Sequence, residues 1–107
     1  MSEYANNEPT RAQVDATSGP QVVEFGNNWC GYCRRAQPVI AEGFAGHEDI
    51  PHLKIADGPG QPLGRSFQVK LWPTLVFLRD GKEVAKLVRP GSAAEVRQAL
   101  ESITAPA

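Results

Sequence analysis

The sequence predicts an α/β domain, and three observations carry that expectation. A short β-branched run at 21–26 precedes a helical stripe from 30 to about 44 and an alternating run at 52–56, the alternation from which α/β sheets are built. The apolar run 74–79 meets Asp80-Gly81 and then 83–88, the pattern of a tight β-hairpin. Behind it, Ser92 and Glu95 form a capping box that opens a last amphipathic helix.

Taken in order, the first twenty residues are polar and lightly acidic, and 1–8 read as a loose N-terminal segment. A helix is expected over 9–17, with Asn7 or Glu8 near its cap, Pro9 in its first turn and Ala12, Val14 and Ala16 on a weak apolar face. Ser18-Gly19-Pro20 ends it. The strand at 21–26 is apolar on both faces, as a buried central strand is, with Glu24 as the anomaly. In the next helix Cys33, Ala36, Ile40 and Phe44 share a stripe beside Val39, and Pro38 is expected to kink it. A loop at 46–51 leads to the strand 52–56, which Asp57-Gly58-Pro59-Gly60 terminates, and 61–67 suits a short helix. In the last helix Val96, Ala99, Leu100 and Ile103 recur on one face. Without internal repeat or linker, 1–107 reads as one domain.

At 107 residues the chain is long enough to build one core without a metal or disulfide to hold it. The ten glycines and nine prolines fall short of a low-complexity share, and the formal net charge of −1 supplies no basic field for nucleic acid or anionic lipid. Two cysteines exclude a disulfide-dense scaffold. The opening MSEYANNEPT has acids and amides where a secretory signal carries a basic start and an apolar run, and no stretch reaches 18 consecutive apolar residues. A cytosolic location is therefore expected, with no membrane association.

Cys30 and Cys33 stand two residues apart at a helix start, where one turn brings the thiols together for a disulfide. Unpaired N–H groups and the helix dipole favour a thiolate at the first of them. This predicts Cys30 as the exposed nucleophile and Cys33 as the thiol that resolves a mixed disulfide. Arg34 and Arg35 add positive charge nearby. Two inert buried thiols are the bland alternative; zinc is the sharper one. Cys30, Cys33, His47 and His52 satisfy a two-cysteine, two-histidine spacing as a bare pattern. A zinc finger, however, needs an aromatic and a leucine between the ligand pairs, where this chain has Gln37 and Gly43. Pro51 also separates the histidines. No metal is expected, and His47 and His52 read as surface-loop and strand-edge residues.

Trp29-Cys30-Gly31-Tyr32-Cys33 resembles the thioredoxin active-site motif. Pro38 matches that family's helix-kinking proline, Trp72-Pro73-Thr74 its cis-proline segment, and Glu24 its buried carboxylate. The resemblance spans about residues 20–103. It implies the thioredoxin fold, a mixed central sheet of four to five strands flanked by helices on both faces. Residues 2–7 lack a convincing first strand, which favours four. It also implies a cis Pro73 that exposes the Trp72 backbone to an extended substrate segment, and docking over Trp29, Gly31, Tyr32, Trp72, Pro73 and Thr74. Glu24, in an apolar strand, is expected to have a raised pKa through desolvation and to accept the Cys33 proton through water. A solvent-facing Glu24 on an edge strand is the alternative.

Three positions depart from the family pattern. Tyr32 replaces the motif's proline, which is expected to favour the thiolate form and make the disulfide more oxidising. Trp72 is bulkier than the usual aliphatic residue, and a narrowed or altered substrate groove is expected. Leu53 takes the place of a lysine that faces the buried acid, with Lys54 one position off and expected on the opposite face. The implied activity is reduction of protein disulfides by a monomeric, cytosolic thiol–disulfide oxidoreductase. It would need no cofactor beyond its dithiol and would be recharged by a thioredoxin reductase or glutathione. The alternative is a thioredoxin-like protein-binding module whose CxxC is dispensable.

Overall fold

A computed structural model describes residues 3–105. Eight elements follow one another: α1 (Arg11–Asp15), β1 (Pro20–Gly26), α2 (Gly31–Phe44), β2 (His52–Ala56), α3 (Pro62–Ser66), β3 (Thr74–Arg79), β4 (Lys82–Val88) and α4 (Ala93–Thr104). The strands form one mixed sheet in the order β2-β1-β3-β4, with β1 parallel to β2 and antiparallel to β3, and β3 antiparallel to β4. Among the described residues no helix is long and apolar enough to cross a membrane.

Alternation along the two central strands explains why each sheet face carries an apolar cluster. Val22, Leu75 and Phe77 point to one face and pack with Ala36, Ile40 and Phe44 of α2 and Val96, Leu100 and Ile103 of α4. Val23, Phe25, Val76 and Leu78 point to the other, against Val14 of α1 and Leu63 and Phe67 around α3. Helix α2 meets α4 closely at Gly43, where a Cβ would lie 2.4 Å from the Cβ of Val96. The hairpin turn has positive φ at both Asp80 (53°) and Gly81 (80°), the geometry that matches strand twist in two-residue loops.

Local chemistry moved several expected boundaries. The first helix is shorter than 9–17: Thr10, rather than Asn7 or Glu8, is its N-cap. The Thr10 hydroxyl accepts from Gln13 N (3.1 Å), while Gln13 Oε1 accepts from Thr10 N (2.9 Å). Glu8 instead accepts from Leu63 N at the start of α3 (3.1 Å). At α4, Ser92 Oγ accepts from Glu95 N, but the Glu95 carboxylate reaches Gly91 N (2.9 Å) rather than closing the box on Ser92. The N-terminal segment is not loose throughout. Ala5 forms a parallel bridge with Ile55 through bonds to Lys54 O and from Ala56 N, and Tyr4 is buried.

Candidate active site

Strand β1 ends beneath the start of α2, and the intervening turn delivers Cys30 as the helix N-cap. Its backbone is extended (φ −87°, ψ 119°), and its sulfur accepts a hydrogen bond from Cys33 N at 3.3 Å. Both thiols are free. Cys33 is 1% exposed; Cys30, expected to be exposed, is left only 8% exposed by its packing with Tyr4, Cys33, Ala56 and the partly buried Trp72. Burial, with the hydrogen bond to Cys30 next in weight, pushes the Cys33 thiol up to about 12. It is therefore a protonated thiol at neutral pH. Pro38 lies within α2, where its missing N–H leaves the Arg34 carbonyl without its usual helical donor.

Around the dithiol stands an aromatic rim. Trp29 is 73% exposed and packs edge-on against Trp72, ring centroids 5.6 Å apart. Trp72 Nε1 donates to Asp57 Oδ2 (2.8 Å), which fixes the indole. Gly31 and Tyr32 are exposed at the first turn of α2. The Tyr32 ring lies 3.7 Å from the guanidinium of Arg89 and 5.1 Å from that of Arg35, cation–π geometry in both cases. Arg89 also donates to the Trp72 carbonyl (2.7 Å), so that backbone oxygen already has a partner. The Trp72–Pro73 peptide is cis. Pro73 and Thr74 are buried, and the Thr74 hydroxyl turns inward to donate to Leu71 O (2.6 Å).

Glu24 is fully buried at the centre of β1, not on an edge strand. Tyr4 Oη donates to its Oε2, Gln37 Nε2 donates to the same oxygen (3.0 Å), and His52 Nε2 meets Oε1 at 2.8 Å. The expected rise in the Glu24 pKa does not occur. Desolvation pushes the carboxyl up, but hydrogen bonds from His52, Tyr4 and Gln37 outweigh it and hold it below the usual carboxylate range. Tyr4 moves the other way, raised well above the phenol range by burial and by the facing carboxylate.

Lys54 also corrects the expectation. The parallel register pairs Glu24 with Lys54 and Val23 with Leu53, and paired residues on adjacent strands share a face. Lys54 thus lies on the Glu24 side, where Nζ donates to Gln37 Oε1 (2.6 Å) and sits 4.8 Å from the Tyr4 ring centroid. Three members of this network escaped the sequence reading. Gln37 was legible as the residue one helical turn beyond Cys33. His52, expected as a strand-edge residue, opens β2 with its ring turned to Glu24. Tyr4 carried no signal, since nothing in 1–8 says which residue turns inward. Among the described residues no three His, Cys, Asp or Glu side chains converge as a metal site would require.

These features have close counterparts in known proteins. The thioredoxin family model matches residues 2–102. The fold superposes on thioredoxin 2 from Pseudomonas aeruginosa PAO1 in its reduced form with a TM-score of 0.85, at 56% identity, covering 95% of this chain and 94% of that one. A thioredoxin from Staphylococcus aureus is 35% identical over 74 residues, 66% of this chain and 69% of that protein. Thioredoxin H-type 1 from Nicotiana tabacum is 33% identical over 86 residues, 80% of this chain and 68% of that one. With a CxxC pair at the N-cap of α2 and a match over nearly its whole length, the chain belongs to the thioredoxin family and is a thiol–disulfide oxidoreductase acting on protein disulfides.

Proposed function

We propose that Cys30 attacks a substrate disulfide and Cys33 then releases the reduced substrate by closing the Cys30–Cys33 disulfide. One observation carries this division of labour: the Cys30 sulfur caps α2 and accepts the Cys33 amide, while Cys33 lies beneath it, buried and protonated. An N-terminal cap position stabilises negative charge on sulfur. Glu24 serves as the internal base for the Cys33 proton. The two electrons reside in the dithiol, so the cycle needs no metal or organic cofactor, and a thioredoxin reductase or glutathione returns them.

Substrates dock across Trp29, Gly31, Tyr32 and Trp72, with Pro73 and Thr74 shaping the floor from beneath. Arg89 takes one of the two lone pairs of the Trp72 carbonyl, and an extended substrate segment pairs with the backbone of this loop. A monomer working in the cytosol fits the small, nearly neutral surface. Reduction of insulin disulfides by the wild-type protein and Cys30→Ser tests the reading: turnover in the wild type alone supports it, and equal turnover in both overturns it. Retained partner capture by a Cys30→Ser, Cys33→Ser protein lacking turnover differences would instead support a binding module over the aromatic rim.

A further inference from the structure

A buried thiol that must become a nucleophile needs somewhere to send its proton. The route visible in this molecule is longer than a carboxylate and a water. A Cβ placed on Gly26 would lie 2.8 Å from both Cys33 Sγ and Tyr4 Oη, so thiol and phenol converge over the same backbone. The phenol donates to Glu24 Oε2 and accepts from Gln37 Nε2 (3.0 Å), which leaves one lone pair for the Cys33 S–H. On its far side Glu24 meets His52 Nε2 at 2.8 Å. The His52 side chain is 21% exposed, stacks on Phe44 with centroids 4.2 Å apart, and lines a cavity of about 430 Å³ together with Arg34, Gln37 and Lys54. Thiol and phenol interact side chain to side chain, and from the phenol hydrogen bonds lead through Glu24 to a partly accessible imidazole.

We propose that Tyr4 conducts the proton from Cys33 to Glu24 and that His52 is the outlet from Glu24 to solvent. This rests on the assignment of Cys33 as the resolving thiol. With substrate held on Cys30, the Cys33 thiol gives its proton to the Tyr4 oxygen as the Tyr4 proton passes to Glu24. The Cys33 sulfur electron pair forms the bond to Cys30, and the Cys30–substrate bond breaks with its pair leaving on the substrate thiolate. Once Glu24 is protonated, His52 exchanges its Nε2 proton for the Nδ1 tautomer through solvent, takes the Glu24 proton at Nε2 and returns one to water from Nδ1, and the departing thiolate is protonated from solvent. Two electrons move from the dithiol to the substrate, and no further reductant enters. The titratable and charged groups that face Glu24 are Tyr4 on the N-terminal segment and His52 and Lys54 on β2; Cys33 on α2 lies beyond Tyr4, and Arg34 on α2 lines the cavity outside His52. The β3 partner of Glu24 is Leu75.

Reaction of the reduced protein with one equivalent of the aromatic disulfide dithiobis(nitrobenzoate) separates the two steps. The first coloured thiolate reports attack by Cys30, the second resolution by Cys33. In Tyr4→Phe the slowing is expected in the second phase alone, by about tenfold or more, with a rate that climbs with hydroxide concentration. In His52→Gln, which keeps a side chain able to bond Glu24, the second phase slows and added imidazole restores it. A second phase unchanged in both variants, or both phases slowed equally, overturns the relay. A wild-type protein that releases only one equivalent overturns the resolving role of Cys33 itself, and the relay with it.

Discussion

Tyr32 occupies the turn between the two cysteines and is held between two guanidiniums, Arg89 at 3.7 Å and Arg35 at 5.1 Å from its ring. Both cations gather at the ring that stands between the two cysteines, and whatever stabilises a thiolate at Cys30 stabilises the dithiol relative to the disulfide. The Cys30–Cys33 potential is therefore expected above the roughly −270 mV of thioredoxin. Equilibration of Tyr32→Pro and wild type with glutathione should show the variant shifted to a more reducing potential. No shift, or one of opposite sign, removes the role given to Tyr32. Only part of this residue-scale chemistry was legible in the chain. The tyrosine within the motif was visible, whereas its partner Arg89 lies 57 positions away, on the far side of the β3–β4 hairpin.

At the scale of elements, the sheet and its two helical layers follow closely from pattern, because strand alternation and helical stripes are local. The terminations do not. Thr10 was chosen as the α1 cap over Asn7 and Glu8 because its hydroxyl reaches Gln13 N, while Glu8 was drawn off to α3. The contact of α2 with α4 yields a specific expectation. At Gly43 a methyl group would sit 2.4 Å from Val96 Cβ and 3.1 Å from Ala93 O, so Gly43→Ala must push the helices apart. The gain in helix propensity is about 1 kcal/mol and the cost of overpacking about 1–3 kcal/mol. A net loss of up to about 2 kcal/mol is expected in urea denaturation, with disulfide-reducing activity of the folded protein retained. A more stable variant would show that the interface gives way freely.

For the molecule as a whole, the buried network makes stability fall on both sides of neutrality. Glu24 has its carboxyl held below the usual range, so its contribution is present above the ordinary carboxylate pKa near 4.5 and is lost as pH falls through the lower folded value. Cys33, raised from about 9 to about 12, contributes below its unfolded pKa, and that contribution is lost as pH rises from 9 towards 12. Tyr4, also raised, acts in the same direction. Denaturation under reducing conditions should show stability falling by up to about 1.4 kcal/mol per pH unit for each group, from pH 9 for Cys33 and from pH 10 for Tyr4. The slope should be shallower in Cys33→Ala; an unchanged slope would mean that Cys33 does not hold its proton more tightly when folded.

By itself the sequence determined the α/β class, the element order, the hairpin and the position of the dithiol at a helix start, because each is written in short-range periodicity, turn chemistry or the spacing within one helical turn. Tertiary structure alone decided the electrostatics of the site. Whether Glu24 ionises depends on Tyr4, Gln37 and His52, which arrive from three different segments, and the parallel register of β1 on β2 puts Lys54, not Leu53, on its side. Burial could be read from the strand's composition. The hydrogen bonds that overrule it exist only when these segments meet.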